Sequence, residues 1–153
     1  MQALNLPVIE LKIRDQKGRC EVFDQIRKKY VALTPEEWVR QHFIHYLITE
    51  KHVPASLIHV EASLKYNRLA KRSDIVIYSK SGIPCLIVEC KAPEVKITQA
   101  VFDQVAMYNM TLKVDYLVVT NGLEHYACRI NHEKQTYGFL TEIPDYNEMI
   151  VGA

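Results

Sequence analysis

Apolar and polar positions run along this chain in two rhythms, and the changes between them mark its elements. Residues 8 to 14 (VIELKIR) and 19 to 23 (RCEVF) are short extended runs around Asp15-Gln16-Lys17-Gly18, a hairpin-like turn. Thr34-Pro35-Glu36-Glu37 carries the strongest start signal: a threonine N-cap, proline at the first helical position, and a glutamate three residues after the cap to complete a capping box. The spacing predicts a helix over about 35 to 51. Trp38, Phe43, Ile44, Leu47 and Ile48 form its apolar stripe, with Arg40, His45 and Glu50 toward solvent.

Beyond Pro54 the period shortens to two. LIHVEASLKY (57 to 66) and DIVIY (74 to 78) read as strands joined by the basic stretch NRLAKRS. PCLIVECK (84 to 91) is apolar enough to be a central strand buried on both faces. A second helix over 98 to 112 is capped by Thr98, with Val101, Val105 and Tyr108 on its inner face. DYLVVT (115 to 120) is the next strand and Asn121-Gly122 a turn, followed by the extended runs HYACRI and TYGFLTEI and an ill-defined tail after Pro144. The Ser79 to Gly82 turn makes strand 74 to 78 antiparallel to 84 to 91. The helix after 84 to 91 implies a right-handed crossover onto a parallel neighbour. The expected fold class is therefore α/β with a mixed central sheet.

The 153 residues suit a single domain over 1–153, with a core over about 34–142 and an N-terminal hairpin at 8–23. Apolar residues at 48% and charged ones at 24% argue against disorder, and the apolar runs are too short to span a bilayer, so no membrane association is expected. The N-terminus lacks a basic region followed by an apolar stretch, which makes the cytoplasm the expected location. Cys20, Cys85, Cys90 and Cys128 show no C-x-x-C spacing and read as free thiols, mostly buried. A net charge of +1 means that any nucleic-acid site must be a local patch; the candidates are Arg27-Lys28-Lys29 and KYNRLAKR, with Lys65, Arg68, Lys71 and Arg72.

Alternate residues of a strand share a face, so Glu89 and Lys91 emerge together at the end of the apolar strand. Pairing across the short turn sets residue 76 opposite about 87 and 74 opposite about 89, which brings Asp74 to Glu89. Two carboxylates on adjacent strands, with the Cys90 carbonyl between them, are oxygen donors suited to Mg²⁺ or Mn²⁺. Lys91 would orient or help deprotonate a water and offset charge on a phosphate. The competing reading is a simple salt-bridge cluster at a strand end.

The ordered pieces TPEEWVRQ, KRSDIVIY, PCLIVECKAP, QVAMY and DYLVVTNG, across about residues 34 to 122, resemble the PD-(D/E)xK nuclease superfamily, and specifically the N-terminal domain of type I restriction enzyme R subunits. The resemblance implies a restriction-endonuclease-like core, with Asp74 and Glu89 as metal ligands and Lys91 as the catalytic lysine. Ser73 stands where such nucleases often carry proline, a matter of backbone shape rather than chemistry. The resemblance also implies an acidic residue from the helix before the sheet, which favours Glu37 over Glu61; completing the capping box is the alternative role for Glu37. Gln104 and Tyr108 match a Q-x-x-x-Y element of similar helicase-associated nucleases, and four-residue spacing puts them on one helix face.

No Gly-rich phosphate loop or H-E-x-x-H motif is present, so no nucleotide cofactor is expected. The leading expectation is Mg²⁺-dependent hydrolysis of DNA, by a homodimer or within a larger restriction-type assembly. The alternatives are a non-catalytic nucleic-acid-binding or adaptor domain that retains the nuclease fold, and a structural or dimerisation domain.

Overall fold

The structure, a computed structural model, describes residues 1–66 and 69–152, and for 62–66 and 69–73 the backbone alone. β1 (Ile13–Gln16) and β2 (Arg19–Asp24) pair antiparallel across Lys17-Gly18. Both turn residues have positive φ, 53° and 77°, the geometry a two-residue hairpin needs to match the strand twist. The turn is tighter than the four residues expected, because Asp15 and Gln16 stay in the ladder.

A third strand, β3 (Lys29–Ala32), pairs with the other edge of β2 and was not anticipated. The Asp24 carboxylate accepts the backbone N–H groups of Ile26 and Arg27 at 2.8 and 2.9 Å and so reverses the chain without glycine or proline. Neither glycine nor proline marks the turn, and a lone aspartate did not reveal it in the sequence pattern.

α1 (Pro35–Glu50) begins as expected, with the Thr34 hydroxyl accepting the Glu37 N–H at 3.0 Å. The reciprocal half of the capping box does not form. The Thr34 N–H donates to the Ala32 carbonyl at 3.2 Å, and the Glu37 side chain turns inward.

The remaining strands are β4 (Ile58–Tyr66), β5 (Leu69–Tyr78), β6 (Pro84–Cys90), β7 (Tyr116–Thr120), β8 (His125–Asn131) and β9 (Thr136–Leu140). They form one sheet in chain order, antiparallel except for the β6/β7 pair. That pair is parallel because α2 (Gln99–Asn109) carries the chain back between them.

Val39, Phe43 and Leu47 of α1 pack on Ile75, Ile77, Leu86 and Val88, while Phe102 and Ala106 of α2 pack on Val76, Ile87, Leu117 and Val119. The sheet is thus covered on both faces, and the middle of β6 is buried on both as expected.

Three details depart from the apolar pattern. Arg40, expected toward solvent, is buried. The inward face of α2 is Phe102, Ala106 and Asn109, one residue on from the expected Val101, Val105 and Tyr108, because Phe102 anchors a ring cluster with Tyr126, Tyr137 and Phe139. The tail folds into α3 (Tyr146–Met149), started by an Asp145/Glu148 capping box, and buries Tyr146 and Met149 in the α1-side core. Among the described residues no helix is long and apolar enough to cross a membrane.

Candidate functional site

The strand register brings three acidic positions to one level of the sheet. β5 and β6 pair as Val76↔Ile87 and Ile75↔Val88, so the next step sets Asp74 opposite Glu89. β4 and β5 pair as Val60↔Ile75 and Ala62↔Ser73, which leaves Glu61 across from Asp74 on its other side. Glu61 drops out of the ladder with φ at 54°, a left-handed conformation costly for a side chain with a β-carbon.

The regular β5/β6 register ends at Ile75↔Val88, and the Asp74 side chain takes over where the backbone ladder stops. Its Oδ2 accepts the Cys90 N–H at 2.7 Å. Its Oδ1 accepts from Arg40 Nη2 at 3.1 Å.

Arg40 is the hub. Only 5% exposed, it also donates from Nη1 to Glu37 at 2.7 Å and from Nη2 to Glu36 at 2.8 Å. The first turn of α1 supplies both glutamates because residues three and four apart share a helix face. Glu37 in turn accepts from Arg27 at 2.8 Å and from Gln41 at 3.0 Å, and Arg27 pairs with the fully buried Asp24. A chain of alternating charge therefore runs from the N-terminal sheet through α1 to β5: Asp24, Arg27, Glu37, Arg40, Asp74. A side contact joins Arg27 to Glu61 at 3.4 Å.

Burial, then the nearby Asp74 charge and its hydrogen bond, push the Glu89 carboxyl well above the ordinary carboxylate range, with Lys91 pulling the other way. Burial opposes the charge on Arg40, but Glu37 and Asp74 outweigh it and hold the guanidinium above its usual range. Among the described residues the network sets five carboxylates (Asp24, Glu36, Glu37, Glu61, Asp74) against Arg27, Arg40 and Lys91, with the Glu89 carboxyl held toward its protonated form, an excess of negative charge suited to a further cation. No group of three or more His, Cys, Asp or Glu side chains converges as a metal cage among those residues.

A family profile described as type I restriction enzyme R protein N terminus (HSDR_N) matches residues 35–144, from the start of α1 to the end of the sheet. The chain belongs to this family. A solved fragment assigned as an HsdR subunit of a type I restriction enzyme from Vibrio vulnificus YJ016 shares the fold at a TM-score of 0.52 and 18% identity, over 78% of this chain and 26% of that one. The HSDR_N chain thus spans about a quarter of that fragment's length. No curated protein matches it. The mixed sheet flanked by helices is the architecture of the restriction-enzyme N-terminal domain and is consistent with a PD-(D/E)xK-like nuclease fold.

Within this HSDR_N fold Asp74 and Glu89 come together as the hairpin register requires, and Lys91 follows where β6 ends, its N–H bonded to the Thr120 carbonyl at 2.8 Å. Cys90 contributes its backbone, while its thiol is wholly buried and pushed up by that burial, as are the thiols of Cys85 and Cys128. Glu37 lies one arginine away from Asp74 and so acts through Arg40.

Gln104 and Tyr108 lie on the exposed face of α2, Tyr108 at 55% exposure. Of the basic stretch, Arg68 and the side chains of Lys65, Lys71 and Arg72 lie outside the described residues. The other basic candidate is corrected in part: Arg27 turns inward to Asp24 and Glu37.

The residues that sequence reasoning missed are Arg40 and Asp24, while Arg27 was read as part of a phosphate-binding patch and not of this network. Arg40 carried a signal in its spacing of four and three residues from Glu36 and Glu37. Asp24 and Arg27 carried none beyond an aspartate three residues before an arginine.

Proposed function

We propose that this domain is a nucleic-acid-binding or adaptor module that keeps the nuclease architecture, with its acidic pair closed by arginine rather than committed to hydrolysis. The observation that carries this reading is the state of Asp74, whose two oxygens are engaged by Arg40 and by the Cys90 N–H. The β4–β5 hairpin continues past the level of Asp74 as far as Tyr66↔Leu69, and its sequence carries Lys65, Arg68, Lys71 and Arg72, the residues proposed to meet phosphates.

Metal-dependent hydrolysis of DNA is the second reading, favoured by the opposition of Asp74 and Glu89 with Lys91 two residues further on. The donor set fits a hard cation in kind: magnesium is commonly held by one or two carboxylates with water completing its shell. Asp74 and Glu89 would hold it, joined by the Cys90 carbonyl, which strand geometry turns to the same side as the Cys90 N–H. The cation would supply Lewis acidity to a phosphate and a more acidic water. Lys91 would orient the attacking water and offset charge on the phosphate. Without the cation, Arg40, itself held by Glu37, keeps the Asp74 carboxylate in place.

The discriminating experiment measures binding and cleavage of supercoiled, linear double-stranded and single-stranded DNA, with and without Mg²⁺ or Mn²⁺. The proteins are wild type, Asp74→Ala, Lys91→Ala and the Lys71→Ala/Arg72→Ala pair. DNA that is bound but uncut, with binding lost in the basic-pair variant, supports the binding module. Metal-dependent cleavage that vanishes in folded Asp74→Ala and Lys91→Ala proteins replaces it with the nuclease. Neither binding nor cleavage sinks both.

A further inference from the structure

We infer that Arg40 is the resident counter-cation of Asp74, and that a divalent cation entering at Asp74 and Glu89 must displace its guanidinium from Asp74. The inference rests on the reading of Asp74 and Glu89 as a cation site, and it makes Arg40 the positioning residue that sets how readily the site is filled.

The geometry allows the exchange. Arg40 reaches Asp74 through one nitrogen, Nη2, at 3.1 Å, the longest of its carboxylate contacts. The same nitrogen holds Glu36 at 2.8 Å, and Nη1 holds Glu37 at 2.7 Å. Leaving Asp74 therefore does not leave the guanidinium without acid partners, since two glutamates on its own helix retain it. The resting arrangement is also incomplete: Arg40 Nε is buried and has no hydrogen-bond partner, so the present pairing leaves a donor unsatisfied.

Electrostatics sets the direction. A guanidinium and a divalent cation on one carboxylate repel each other, so the arginine lowers the affinity of Asp74 for the metal. Arg27 does not compete in this way, because Glu37 stands between it and Arg40. The carboxylate excess around the network leaves room for added positive charge once Arg40 has moved onto Glu36 and Glu37.

The test uses the full chain and the metal alone. Free Mn²⁺ is followed by electron paramagnetic resonance during titration of wild type, Arg40→Met, Arg40→Lys and Asp74→Asn. In parallel, the arginine side-chain N–H signals of the wild-type protein are followed by NMR as Mg²⁺ is added. Arg40→Met should bind Mn²⁺ more tightly than wild type by about tenfold or more, taking as the guide the low end of what a neighbouring arginine does to an aspartate's affinity for a proton. Arg40→Lys should return toward the wild-type affinity and Asp74→Asn should lose the site. The Arg40 signal, assigned by its absence from Arg40→Lys, should move on adding Mg²⁺ while that of Arg27 holds.

Equal or weaker Mn²⁺ binding by folded Arg40→Met, with the site still lost in Asp74→Asn, overturns the role of Arg40 and leaves the cation site standing. No Mn²⁺ binding at Asp74 in wild type or in folded Arg40→Met overturns the cation site and this inference with it. Should Arg40→Met fail to fold, the wild-type protein decides: an Arg40 signal that does not move while Mg²⁺ binds overturns the displacement, as does an absence of cation binding.

Discussion

The two long helices cover opposite faces of one sheet and do so in different chemical currencies. α1 buries Phe43 and Leu47, but on the same element it also buries Glu37, Arg40, Gln41 and His42. α2 buries Phe102, Ala106 and Asn109 and leaves Gln104 and Tyr108 outside. α1 thus carries both a core stripe and a polar stripe, the second aimed at the strand ends where Asp74 and Glu89 stand. The difference teaches that the candidate site is held from the α1 side, by a relay of buried charge that begins in the N-terminal sheet.

The largest effect that would break this comparison is at Glu37. Glu37→Ala removes the shared acceptor of Arg27 and the buried Arg40 and breaks the buried Glu37–Arg40 pair, so chemical denaturation should show a loss of about 3–5 kcal/mol. A loss below ~1 kcal/mol would mean that the relay is decoration.

The apolar anchors should not separate the helices. Phe43→Ala and Phe102→Ala are each expected to cost about 3–5 kcal/mol, since both rings are fully buried against the sheet. A difference between them larger than the spread among replicate melts of several independent preparations would place the stability, and not only the charge, on one side.

A smaller effect should appear on acidification. Burial raises the Asp24 carboxyl, but hydrogen bonds from the Arg27 backbone and side chain outweigh it and hold it below the ordinary aspartate value of 3.8. A carboxyl depressed on folding binds fewer protons in the folded state, so its stabilisation is present above about 3.8 and is lost as pH falls through the folded value. Wild type should therefore lose stability more steeply below that pH than Asp24→Asn; parallel curves would remove Asp24 from the relay.

The smallest effects belong to the outer face of α2. Gln104→Ala and Tyr108→Ala should each change stability by less than about 0.5 kcal/mol, as surface substitutions do. Their Mn²⁺ titrations should overlay that of wild type. A clear loss of cation binding in either would return the Q-x-x-x-Y resemblance to the site.

Most elements were legible before any coordinates. α1, the strands of the large sheet and α2 lie within a few residues of their expected bounds, apart from an earlier start to β5, because hydrophobic period and caps are local properties. The meeting of Asp74 and Glu89 was legible too, since a short turn fixes register and register fixes which side chains share a level. β3 and α3 were missed for opposite reasons: the turn before β3 is made by an aspartate side chain, while α3 carried a D-x-x-E start too short to show a period. The family and the fold are established by the match over 35–144 and the structural likeness.

By itself the sequence determined the sheet, its flanking helices and the opposition of two carboxylates, all consequences of local periodicity and of one hairpin. Only the tertiary structure decided what Asp74 is bound to. Arg40 lies 34 residues before it on another element, and its hydrophilic character in a helix reads as a solvent-facing position. Packing α1 onto the sheet removes it from water, and once buried a guanidinium must find carboxylates; it takes Glu36, Glu37 and Asp74 together. The pairing with Asp74 is a long-range consequence of burial, which no pattern of neighbours along the chain encodes.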